Sequence, residues 1–531
     1  MAMTKDRLFY RFSTAVLFVI ISPMASTQDL LDTYIQALEK DALLKRSLAQ
    51  RDANRTAAPS ALANMLPNVS MVANSNTSNP IALNDQLFEP GSPGVPLIRD
   101  HGYVINATQN LINVGNWFTM NQAGHIVDQA DATYTFAEQD LILRTAKAYF
   151  EVLDAIDNLS FAQAEKNALE QELKQSQEKF NVGLVAITDL NDFRSRFDDS
   201  VSQEIQALNN FDDSKERLRI ITGDVIDVLS PLKDTIPLNT PDPNDIDTWQ
   251  DFAQKNNPLL AATRFDMEAK RSAVEVTRAQ HYPTINMQGS YGADKLGLVT
   301  NPGDVSDLGW QLLFQAQMNL YAGGGIQASV NKAQYTFEDA RYAFEEARRE
   351  TISNTRIAYR GVLSAISQVS ALRQAVISAQ TALDANQASY DVGAKTSIDV
   401  LNSLSNLYNQ QRNFATARYA YIINVLSLKQ AAGSLSMADV ELVNTWLSQH
   451  PITPGSTTAE HVPFVGQSDV TPESEKPISM PVTAVQPPKP SESKTIPDKI
   501  PQPSPFADKV PEPLSSPPPP PPPSTPIPPS Q

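Results

Sequence analysis

The chain of 531 residues contains no cysteine. No disulfide can staple it and no lipid-modified N-terminal cysteine can anchor it, so any membrane contact has to come from the fold itself. Its five histidines (His101, His125, His281, His450 and His461) are isolated, with no HExxH or other metal-ligand spacing. Glycine is sparse. Its one cluster, Gly323-Gly324-Gly325, lacks any GK[ST] or GxGxxG context, so a strand-to-helix corner explains it better than a phosphate loop. Positive charge is in deficit, 42 basic against 59 acidic residues. A net charge of -17 excludes the basic face that a nucleic-acid partner requires. The acidic residues on the long helical segments read as solvated faces. With no catalytic constellation, no cofactor site and no metal site in view, an enzyme is not expected.

Proline is concentrated at one end. Of 39 prolines, 25 lie in the last 81 residues, including an unbroken run from Pro517 to Pro523. Such a segment cannot build a core, so residues 451–531 are expected to be an extended or disordered tail. At the other end Lys5, Arg7 and Arg11 precede an apolar run from Ala15 to Ile21 and the small residues Ala25-Ser26-Thr27. This reads as a secretory signal peptide over 1–27, its apolar core far shorter than the roughly 20 residues of a membrane-spanning helix.

Between these ends the pattern is regular. From Leu30 to about Ala58 apolar residues recur at helical spacing. After Pro67, Val69, Met71 and Ala73 alternate with Ser70 and Asn74; after a Pro- and Gly-rich loop, Tyr103, Ile105, Ala107 and Leu111 alternate with Asn106, Thr108 and Asn110. A second pair follows Pro283. There Ile285, Met287 and Tyr291 alternate with Asn286, Gln288 and Ser290, and the residues Trp310, Leu312, Phe314, Ala316, Met318 and Leu320 alternate with amides. Period two marks strands. Each strand alone would suit a soluble sandwich, but four of about ten residues, with Asn and Gln on the polar face behind a signal peptide, point to a membrane barrel with a wet lumen. Known barrels begin at about eight strands, so the chain has to oligomerise to close one.

Each strand pair is followed by a proline-free helical segment, from Asn116 to about Phe180 and from about Ile326 to Tyr390. At 1.5 Å per residue, roughly 65 residues make a rod of about 100 Å. Val362, Ile366, Val369, Val376 and Leu383 fall at coiled-coil spacings, and the many Ala and Ser positions let neighbours approach on more than one side. Each rod ends in a Val-Gly tip: Val182-Gly183-Leu184 before Thr188-Asp189, and Val392-Gly393 before Ser397 and Asp399. Glycine permits the reversal, and the hydroxyl and carboxylate groups suit the start of the returning helix. The tips lie 210 residues apart, as do Tyr149 and Tyr359, and Gly223 and Gly433. The chain is thus an internal duplication, 28–223 and 247–433, joined by a Pro- and Asp-rich connector at 224–246 and followed by a segment at 434–450.

These residues also carry a likeness. Asn181 to Asp189 (NVGLVAITD), Ala148 to Leu153, Ile221-Thr222-Gly223, Ser378-Ala379-Gln380 with Leu383-Asp384-Ala385, and Ile398-Asp399-Val400-Leu401 resemble the TolC family of outer-membrane efflux and type I secretion channels in order and spacing. The resemblance implies a mainly α fold with a membrane β-barrel. Three chains would form one twelve-stranded barrel in outer-membrane lipid and an α-helical tunnel in the periplasm. It implies a periplasmic adaptor at the tips Val182, Gly183, Leu184, Val392 and Gly393, and an inner-membrane transporter beyond. It also implies a gate-closing polar network at Thr188, Asp189, Tyr390 and Lys395, where Lys395 stands in place of an arginine, and at Glu172 and Gln387. A periplasmic constriction follows at Asp399, with Asn402 in the place of a second aspartate. The contrasting expectation is a trimeric coiled-coil surface protein with a barrel anchor, structural or adhesive; strands in the middle of each half weigh against it.

Overall fold

The computed structural model describes residues 28–78, 98–226, 228–298, 305–448 and 478–479. The expected signal peptide, most of the loop between the first two strands, and the tail apart from Ile478–Ser479 lie outside the described residues.

The first apolar pattern folds as three short helices, α1 (Leu30–Lys40), α2 (Ala42–Arg55) and α3 (Ala57–Ala63), where the spacing predicts one. Asp41 makes the break: its backbone leaves the helix at ψ 122°, and its carboxylate accepts the Leu44 N–H at 2.6 Å to cap α2. A short acidic side chain that bonds its own neighbouring backbone favours this cap over helix continuation.

The four long strands are β1 (Asn68–Ser78), β2 (Ile98–Ile112), β4 (Thr284–Leu298) and β5 (Val305–Gln317), with a short β3 (Pro241–Asp242) between β2 and β4. They form one antiparallel sheet in the order β1-β2-β4-β5. Its register places Met71, Ile105, Tyr291 and Trp310 side by side, and one residue along Ser70, Asn106, Ser290 and Gln311. Because successive side chains point to opposite faces, the first row builds an apolar face and the second an amide and hydroxyl face. Met71 and Trp310, 66% and 78% exposed, have no cover within the chain. β1 and β5 are both edges, so the sheet is open. β5 ends at Gln317, short of Met318 and Leu320, because the chain there turns toward the next helix through Gly323 and Gly324, both at positive φ.

The rods are α4 (Val114–Asn181, 68 residues) and α8 (Gly325–Asp391, 67 residues), each about 100 Å long. They return as α5 (Ile187–Thr222) and α9 (Ser397–Ala431). α6 (Ile246–Asn256), α7 (Pro258–Arg278) and α10 (Met437–Asn444) complete the helices. The core gathers where these helices meet the middle of the rods: Tyr149, Phe150, Trp249, Tyr421 and Ile422 are fully buried there. Their polar ends are satisfied, Tyr149 donating to the Ser230 carbonyl and Trp249 to the Pro243 carbonyl, both at 2.8 Å. The connector is part of this core. Prolines deny it helix, yet Ile226, Leu229 and Leu232 are buried, and its backbone bonds the start of the chain at Gln28 and the C-terminal segment at Trp446 and Ser448. The described tail residues form β6 (Ile478–Ser479), extended and parallel to β3.

Candidate functional site

The two tips are built alike. Gly183 and Gly393 stand at φ 76° and 77°, a conformation that costs other residues about 1–2 kcal/mol. Each ends its rod in a Schellman turn, with Leu184 N–H on the Lys179 carbonyl and Ala394 N–H on that of Ser389, at 2.8 and 2.9 Å. The returning helices start differently. At α9, Thr396 and Asp399 form a capping box, the carboxylate accepting the Thr396 N–H at 3.0 Å. At α5 the cap position is Ala186 and no side chain caps it; Thr188 lies one residue inside the helix, and the cap expected from its hydroxyl is not made. Val182, Leu184 and Val392 are 71%, 76% and 80% exposed, so each tip presents bare apolar surface.

The two hairpins are tied to each other by a seam of polar contacts between α4 or α5 and α9. Near the core Tyr419 donates to Asp157 at 2.7 Å, exposed Thr416 to Asp154 at 2.7 Å, and buried Glu165 accepts from Ser405 at 3.1 Å and from Arg412. Toward the tips they thin out. A small cluster of Leu169, Phe193, Leu401 and Leu404 packs there with Arg196 to Asn402 at 3.2 Å beside it, and nearer the tips Ser397 donates to Asp189 at 3.4 Å. Fewer side chains are buried here than where the short helices meet the middle of the rods.

Here the residues named from the sequence come together in part. Tyr390 lies beside Glu172 and Asp189: burial first, then the charges of Asp189, Glu172 and Asp391, raise its hydroxyl above the ordinary tyrosine value. Burial also raises Glu172, with Asp391 adding to the rise and Lys179 opposing it. Lys395 approaches Asp399, at 4.0 Å, and within one chain bonds neither Thr188 nor Asp189. Thr188 is exposed; Gln387, half-buried, makes no hydrogen bond to Glu172 among the described residues. The Thr396 backbone and hydroxyl, followed by Lys395, hold the Asp399 carboxyl below the usual range, so it stays ionised. Sequence reasoning missed two members. Lys179 covers the Tyr390 ring at 5.1 Å, and a basic residue in a helix's last turn was a readable signal for it. Arg196 had no such signal, since its partner is 206 residues away.

The model of the outer membrane efflux protein family matches residues 33–224 and 249–434, one block in each half. The outer membrane protein TolC of Escherichia coli (strain K12) is 32% identical over 450 residues, 83% of this chain and 88% of that protein. The proteases secretion protein PrtF of Dickeya chrysanthemi is 24% identical over 449 residues, 82% and 96% of the two chains. Among solved structures, the Campylobacter jejuni CmeC outer membrane channel superposes with a TM-score of 0.65 at 16% identity, over 79% of this chain and 90% of that one.

Proposed function

The chain belongs to the outer membrane efflux protein family, and from that premise we propose that three copies assemble into one exit duct, which receives its cargo from a periplasmic adaptor and an inner-membrane transporter. The open sheet carries this reading. Four strands with two unpaired edges cannot close, whereas three copies supply twelve, above the smallest barrels of about eight. The exposed Met71 and Trp310 row then faces lipid and the Asn106 and Gln311 row faces water. The helix pairs continue the duct away from the membrane, and the bare Val182, Leu184 and Val392 side chains are where the adaptor docks. Expression in a cell deleted for its own exit duct tests the function: restored resistance to toxic compounds, or restored protein secretion, supports it. Failure of both at normal outer-membrane levels counts against it.

The tips form the gate in this reading. Tyr390 and Lys395 sit among Asp189, Glu172 and Asp399. A neutral hydrogen bond there is worth about 1 kcal/mol and one to a charge about 1.5–3, and symmetry repeats each at every copy. Tyr390→Phe combined with Lys395→Ser is expected to raise single-channel conductance in planar bilayers without loss of the trimer; unchanged conductance would remove these residues from the latch.

A further inference from the structure

Arg196 lies on α5, one turn after Phe193, whose ring is buried with Leu401 and Leu404 of α9. That packed layer fixes the two helices against each other and brings the Arg196 guanidinium to Asn402, Nη2 donating to Oδ1 at 3.2 Å. Asn402 accepts the bond without a charge of its own. Arg196 makes no ion pair among the described residues, and the acidic residues at helical spacing from it on α5 are Asp192, four residues before it, and Asp199, three after. Asp399 is three residues before Asn402 on the same helix, and side chains three apart lie roughly 5–6 Å from each other at Cβ. This is inside a Debye length of about 10 Å at 0.1 M salt, so an ion passing Asp399 feels Arg196 as well.

We infer that Arg196 is a selectivity-determining residue of the duct: held by Asn402, its guanidinium offsets part of the Asp399 charge at the narrow end and weakens the draw of that end on cations. The inference rests on Asp399 and Asn402 lining the constriction. In each copy Asp399 faces Lys395 at 4.0 Å and Arg196 across Asn402, while Asp189, tied to Ser397 at 3.4 Å, and Asp192 and Asp199 beside Arg196 on α5 keep the surroundings negative. In a narrow mouth with low-dielectric walls that balance decides which ions concentrate. An aspartate at position 402 would add little to it, because the new carboxylate would be spent on the Arg196 fork in a two-bond pair.

The test is bilayer recording of the full-length protein, with reversal potentials in a salt gradient and lanthanum(III) titrated from the tip side. Arg196→Gln is expected to be more cation-selective than the wild type, and Asn402→Asp to stay close to the wild type. Asn402→Asp with Arg196→Gln should be blocked by lanthanum at a concentration about tenfold or more below that for Asn402→Asp alone. Equal block in these two variants, or no shift of reversal potential in Arg196→Gln, would overturn the assignment. Asp399→Asn in the double-variant background separates the two levels. If it relieves the block while Arg196→Gln changes nothing, only Arg196 has been misassigned; if it has no effect on selectivity or block, the constriction lies elsewhere and the assignment falls with it.

Discussion

Gly433→Ala is expected to destabilise the folded chain by about 3 kcal/mol or more, and Gly223→Ala by only about 1–2. The two glycines end α9 and α5, lie 210 residues apart and have nearly the same backbone, φ 74° and 77°. The left-handed conformation penalises alanine equally at both. The difference lies in what a Cβ would meet. At Gly223 it would come 3.1 Å from the Lys40 Cδ, the flexible part of a side chain that can swing aside. At Gly433 it would sit 2.4 Å from the Asn256 carbonyl oxygen and 2.7 Å from the Asn257 Cα, both backbone. That backbone cannot retreat freely, because the Asn257 side chain caps α7 and donates to the Ala431 carbonyl at 2.9 Å. Unfolding midpoints of the detergent-solubilised variants, compared at equal denaturant, check the ranking; equal losses would mean that the α6–α7 corner yields.

Lys429→Ala should be of similar severity, about 3–5 kcal/mol, through a different cause. Lys429 and Asp439 form an ion pair with side chains only 8% and 10% exposed, and Asp439 also accepts the Ser436 N–H at 2.8 Å to cap α10. Removing the ammonium leaves a carboxylate held in the interior by its cap with no counter-charge. Much of the loss is therefore the cost of an orphaned charge, not the worth of the pair. Lys429→Met with Asp439→Asn keeps an acceptor for the cap and removes both charges, so it is expected to recover more than half of the loss in the same unfolding measurement. A double variant as unstable as Lys429→Ala would show that the pair itself supplies the stability.

The strands, the rods and the tips were legible because each leaves a local record. Period-two alternation in β4 and β5, the absence of proline from α4 and α8, and the Val-Gly pairs at Gly183 and Gly393 are read within a few residues of one another. The N-terminal helix was misjudged at Asp41, where an acidic cap competes with a continuing apolar pattern. The connector was underestimated because its prolines signal what it is not. That Leu229 and Leu232 are buried depends on contacts with Gln28 and Trp446, more than two hundred residues away in each case. Near the tips, Tyr390 lies beside Asp189 and Glu172, but the carboxylate that Lys395 approaches within the chain is Asp399, four residues on and into α9, and Arg196 left no local signal.

By itself, then, the amino-acid sequence determined the duplication, the four strands too few to close, the two rods and the position of their tips, because hydrophobic periodicity and glycine conformation are properties of short stretches. Only the tertiary structure decided which side chains of the two hairpins meet. A periodic apolar face records that it is buried and not what buries it. Positions equivalent in the repeat, such as Gly223 and Gly433, acquire different neighbours once the halves pack against each other, one facing a lysine side chain and the other a fixed backbone.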